Sequence, residues 1–140
     1  MKQTSDLVDN AVDVKVVLSG LWVTTLFVFA YVDIFGFYRA DVIDGVLAGE
    51  VSGTGFPIDQ TFLILTTLYI VVAALMVVVS LLARARVNRI ANIVVSLLYV
   101  VTASATLIGE SWVYYIVGTL IEVALLLVIT RIAWVWPKRT

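Results

Sequence analysis

A chain of 140 residues with neither cysteine nor histidine has few side chains able to do chemistry. Thiol redox reactions, Cys-ligated zinc, His-ligated haem and Ser–His or Cys–His triads are all excluded. Carboxylates, amides, hydroxyls and phenols remain, and their spacing is informative. Asn88, Asn92, Ser96, Tyr99, Ala103, Thr106 and Glu110 recur at steps of three and four, which aligns them on one helix face that is polar or small throughout. Thr66, Tyr69, Ala73, Met76 and Ser80 repeat the spacing more weakly. Tyr115, Gly118, Thr119 and Glu122 share one side of a later segment, and Ser19, Trp22, Phe29, Asp33 and Gly36 share a face of the first.

The elements carrying these faces are set by hydrophobicity. Of the chain, 62% is apolar and 14% charged, with a mean hydropathy of +1.09. A soluble domain of this length could not bury that much apolar surface, and disorder is equally excluded. Charges divide the sequence into four apolar runs at about 16–38, 61–83, 90–109 and 112–136. Each is long enough at 1.5 Å per residue to cross a ~30 Å hydrocarbon core, and in lipid only helices satisfy such segments internally. The expected fold is an all-α membrane protein, a single integral membrane domain over 1–140. It is a four transmembrane helix bundle with a short outer interfacial helix.

That outer element falls in the loop 39–60. Val42, Ile43, Val46 and Leu47 lie at helical spacing while Asp41, Asp44 and Glu50 point elsewhere, which fits a helix lying on the surface. Gly53 and Gly55 loosen the chain before Pro57 and Asp59 start the second span. The first run is too long for a signal-peptide core and follows an acidic leader, so it is expected to stay as an anchor. Lys2, Lys15, Arg84, Arg86, Arg89, Arg131, Lys138 and Arg139 fall on one side and Arg39 alone on the other. The positive-inside rule then places both termini in the cytoplasm of a multi-pass cell-membrane protein. Trp134 and Trp136 would mark the inner interface, and Trp112, Tyr114, Tyr115 and Tyr38 the outer one.

Among the acids, Glu122 stands out. It lies ten residues from Trp112, hence ~15 Å deep, where a charge costs at least ~2.5 kcal/mol. Two readings stand: a functional intramembrane acid, or a protonated one locked to Tyr115, Asn92 or a backbone carbonyl. Asp33 is nearer the outer boundary and is expected to hold the loop through Arg39 or a helix start. Glu110 is expected to be a solvated turn residue and Asp41 a wet one. Asp33, Asp41, Asp44, Glu50, Asp59 and Glu110 make the outer mouth acidic, which the positive-inside rule alone would leave behind. The candidate intramembrane polar site is therefore Glu122 and Asp33 with Asn92, Ser96, Tyr99, Tyr115 and Thr119. The polar faces read either as helix–helix glue or as the lining of a polar cavity.

Several segments carry a resemblance: YVDIF at 31–35, VNRIANI at 87–93, YYI at 114–116 with the later Glu122, and AWVWP at 133–137. Together they resemble a family of small bacterial four-helix membrane proteins of unknown function, distantly DoxX-like. Val32 departs from that family's Y-A-D-I. The resemblance covers nearly the whole chain and implies the four-span fold and the outer helix, but no activity. No motif here carries over the quinone-linked sulfur oxidation associated with one DoxX-like subunit.

The expected function is that of a non-enzymatic inner-membrane protein whose bundle binds a lipid, quinone or other small apolar ligand, or a partner protein. The alternative is a small oligomeric transporter or channel that moves a cation or proton along Glu122 and the polar stripe of the third span. No metal or cofactor is expected. Membrane lipids and a second copy of the chain are the expected partners, and a net charge of −1 argues against nucleic acid.

Overall fold

The computed structural model describes residues 9–137; Lys2, Asp6, Lys138 and Arg139 lie outside the described residues. The described chain forms five helices, α1 (Val14–Gly36), α2 (Ala40–Ala48), α3 (Gln60–Leu82), α4 (Ala85–Ala105) and α5 (Val113–Trp134). All but α2 are long and apolar enough to cross a membrane. The architecture is the expected one, an all-helical membrane bundle with one short helix outside the spanning set.

The helix ends follow local chemistry. Asp13 caps α1 by accepting from Lys15 N–H at 2.8 Å, and Asp59 caps α3 by accepting from Phe62 N–H at 2.8 Å. Such side-chain acceptors satisfy the donors that a helix start leaves free. At the opposite end of α3, Lys15 Nζ donates to Ala83 O at 2.7 Å, placing a cation on the exposed carbonyls and tying α1 to the α3–α4 turn.

The third span departs most from its expected limits. It starts at Ala85 instead of 90, because Arg86, Asn88 and Arg89 are accommodated in the first turns of α4. It ends at Ala105 instead of 109, where residues 106–109 turn and Gly109 takes φ +82°. The polar stripe therefore stops at Ala103, and Thr106 and Glu110 belong to the connection.

In the bundle α1 packs against α3 and α5, α4 packs closely on α5, and α3 meets α4 more sparsely. Leu18, Trp22, Phe29, Ala73, Met76, Tyr99, Leu126 and Ile129 form the core. Gly118 permits the α1–α5 approach: a Cβ there would sit 2.4 Å from Val32 Cγ2. Residues beyond α2 return tightly on it. Gly49 ends the helix at φ +78°, Glu50 N–H donates to Gly45 O, and Ile58 N–H donates back to Gly49 O.

Candidate functional site

The sequence-derived polar residues separate into two groups with opposite fates. The first is a closed network near the end holding the α3–α4 turn. Asn92 is fully buried and accepts from Trp22 Nε1–H at 2.7 Å, while its amide donates to Asn88 Oδ1 at 2.7 Å and Asn88 O at 3.0 Å. Asn88 Nδ2 donates to Ser80 O at 2.6 Å, and Ser80 Oγ donates to Asn92 Oδ1 at 3.3 Å. Ser96 reaches Thr130 Oγ1 at 2.7 Å and donates to Asn92 O. Above them the Tyr99 hydroxyl donates to Tyr69 O, its ring stacks on Tyr69 at 4.4 Å, and Trp22 meets it edge-on at 5.9 Å. The Asn88–Asn92–Ser96–Tyr99 stripe is thus helix–helix glue, its polar atoms satisfied within the protein.

Asn92 consequently does not partner Glu122. Its hydrogen-bonding capacity is spent on α1, α3 and its own helix.

The second group surrounds a half-open central cavity of about 170 Å³, closer to α2, to which every long helix contributes. Asp33 and Phe29 enter from α1, Thr66 and Tyr69 from α3, Ala103 from α4 and Thr106 from the connection after it, and Tyr115 and Glu122 from α5. Tyr115 is therefore part of the interior wall. Thr119 packs beside Glu122 on α5 and is 1% exposed. Glu122 is 5% exposed and makes no hydrogen bond to any described residue; its carboxyl faces the cavity. Asp33 is exposed to the same space. Two acids are thereby brought together among phenol and threonine hydroxyls, with no Lys or Arg in the wall.

A wider vestibule of about 450 Å³ lies under α2, walled by Val42 and Val46 of α2, by Val51 and Ile58 of the returning loop, and by Arg39 and Glu110. Thr106 and Tyr115 line both this vestibule and the central cavity.

Arg39 closes this end, and here three expectations are corrected. It does not bind Asp33. Its guanidinium takes Asp41 at 2.6 Å and Glu110 at 3.0 Å, and it lies 4.7 Å over the Trp112 ring. Being the only basic residue at the acidic end, it is held by acids on α2 and on the α4–α5 connection, while Asp33 faces the cavity. Glu110 is not a solvated turn residue, for its side chain is 14% exposed and also accepts from Ser111 and Trp112 N–H at 2.8 Å in the turn before α5. Asp41 is exposed but not merely wet, since both of its carboxylate oxygens accept from the Arg39 guanidinium. The Arg39 hydrogen bond holds the Asp41 carboxyl below its ordinary range. Occlusion alone would raise Glu110, but backbone N–H groups of Trp112 and Ser111 together with Arg39 outweigh it and leave it lowered. Arg39 is the residue that sequence reasoning undervalued. Its solitary positive charge on an acidic face was the available signal.

Among the described residues no group of three or more acids, His or Cys could hold a metal ion. No curated protein matches the chain, and no solved structure does. Residues 7–140 match the model of a family of unknown function (DUF6326), and this multi-span membrane protein belongs to that family.

Proposed function

We propose that the bundle is a non-enzymatic ligand-binding unit whose site is the central cavity around Asp33 and Glu122. The observation that carries this reading is that one cavity, walled by all four long helices, holds a buried carboxyl with no protein partner. Polar groups inside a stable bundle are normally satisfied, as the Asn92 network illustrates, and a carboxyl that opens onto a cavity without a protein partner is a candidate place for a ligand. The absence of His and Cys leaves little for covalent or redox chemistry.

The stripe of α4 supports no solute path, since its polar atoms are consumed by hydrogen bonds and the space between them is filled. The cavity shares wall residues Thr106 and Tyr115 with the vestibule, which favours entry from the α2 end. Lys15, Arg84, Arg86, Arg89 and Arg131 against Arg39 favour an orientation with that end non-cytoplasmic and both termini inside. A reporter fused after Thr140 that is active only in its cytoplasmic form tests the orientation. The kinship to DoxX-like proteins is proposed for the fold alone. The apolar faces of α3 and α5 suit lipid or a second copy, and we place a homo-oligomer in this reading on that ground.

The test of binding is native mass spectrometry on protein released from nanodiscs. A retained small molecule or lipid, lost when Ala103→Phe fills the cavity, supports the reading. Identical bound mass in both proteins contradicts it.

A further inference from the structure

We propose that the ligand is a small organic cation, an ammonium or similar amphiphilic monocation whose charged head sits between Asp33 and Glu122. This deepens the reading above and rests on it.

The cavity's chemistry selects the class. Glu122 is nine-tenths buried as a residue and makes no hydrogen bond to a described residue, so its carboxyl has left bulk water, gained no protein donor and opens only onto the cavity. Cavity water, a proton or a ligand cation has to offset that loss, and of these a ligand cation is the one the two acids select. Asp33 faces the same space from α1, and no basic side chain lines it. Arg39, at the vestibule, is already held by Asp41 and Glu110. An anion would meet two acids there, and a wholly apolar ligand would leave both without a partner.

The remaining wall combines three rings, Phe29, Tyr69 and Tyr115, with small and aliphatic side chains and two threonines. Carboxylates together with ring faces are the chemistry that recognises alkylated ammonium groups. Size agrees: about 170 Å³ compares with the ~150 Å³ cavity that admits benzene, enough for a small head whose apolar body leaves through the opening.

A proton competes with this cation for the same carboxyl, so binding falls as solution is acidified. The groups facing Glu122 are Asp33 from α1, Tyr69 from α3 and Tyr115 from its own helix, while Ala103 of α4 and Thr106 just beyond it bring no charge. Of these groups only the two acids lose charge on acidification.

The probe pair is phenyltrimethylammonium and its neutral isostere tert-butylbenzene, titrated by calorimetry into protein in phosphatidylglycerol nanodiscs. The cation should bind and the isostere should not. Glu122→Gln should weaken the cation about tenfold or more, as expected for loss of a desolvated charge partner. Glu122→Asp, which keeps the charge, should retain binding. Adding phosphatidylethanolamine tells the two sources of such a cation apart: competition with the probe assigns the site to a lipid amine headgroup, and its absence assigns it to a free amphiphile.

Equal binding of the two probes, or of the cation to wild type and Glu122→Gln, overturns the cation assignment. If that binding still disappears in Ala103→Phe, the ligand-binding cavity stands and only its charge preference falls. If neither probe binds and no retained molecule is found, both fall.

Discussion

The two ends of the bundle use similar residues to opposite effect. Near the α3–α4 turn, Asn88, Asn92, Ser80 and Trp22 spend their polar atoms on one another, and each is buried with its bonds made. Toward α2, Asp33 and Glu122 surround space and bond to nothing described. Polarity on a helix face is therefore not evidence of a site by itself. What distinguishes the candidate site is a polar group that the fold leaves without a protein partner and opens onto a cavity.

The contrast predicts a division between stability and function. The largest effect on stability should come from Asn92→Leu, which strands the Trp22 N–H and the Asn88 side-chain oxygen. About 2 kcal/mol is expected, above the ~0.6 kcal/mol average for one interhelical bond in a membrane because several partners are lost at once. Unfolding by SDS titration in mixed micelles measures it. A loss no larger than that of a lipid-facing Leu→Ala would remove the distinction between the two ends.

Gly118→Ala comes next, because its Cβ would collide with Val32 Cγ2. Overpacking of this kind costs on the order of 1–3 kcal/mol. The same titration should show recovery in the double variant Val32→Ala with Gly118→Ala. Without recovery, the α1–α5 approach that brings Asp33 and Glu122 to one cavity is wrong.

The Arg39 clasp should matter less and depend on pH. Asp41 and Glu110 are lowered in the folded protein relative to ordinary carboxylates. Their contribution is therefore complete above the unfolded values near ~4 and is lost as pH falls through the lower folded values. Glu110→Gln should cost less than ~1 kcal/mol at neutral pH, discounted for solvent screening. Protection of α2 amides, taken relative to the intrinsic exchange rate at each pH, should fall on acidification in wild type and already be low in Arg39→Gln.

Smallest of all should be Glu122→Gln. With no partner to lose, its stability should change within about 0.5 kcal/mol or rise slightly, as removing a buried acid from lipid is favourable. A loss comparable to that of Asn92→Leu would mean that Glu122 is structural and move it to the closed network.

Much of this was legible in the sequence. Hydrophobic run lengths give four spans, and the steps of three and four place Asn88, Asn92, Ser96 and Tyr99 on one face. The amphipathic spacing of Val42 and Val46 locates α2. Which polar face would be glue was not legible, because periodicity reports direction and not what stands opposite. Asn92 and Glu122 both point inward; Trp22 happens to face the first, and empty space the second. The grouping of Glu110 and Thr106 with the stripe failed for a local reason: the helix stops at Ala105, so spacing beyond it no longer maps to a face. Arg39 was misassigned because its partners come from two separate elements, and one of them, Glu110, lies 71 residues away on the α4–α5 connection.

The natural absence of cysteine allows the contrast itself to be measured with single substitutions in nanodiscs, using a membrane-impermeant, water-requiring thiol reagent. Cysteine at Thr106 and Ala103, on the cavity wall, should be modified, and Ala103 should be shielded when phenyltrimethylammonium occupies the site. Cysteine at Ser80 and Ser96, within the closed network, should stay unmodified over the same interval. Modification of Ser80 and Ser96 at the rate seen for Thr106 and Ala103 would contradict the account, because water would then run the length of the stripe.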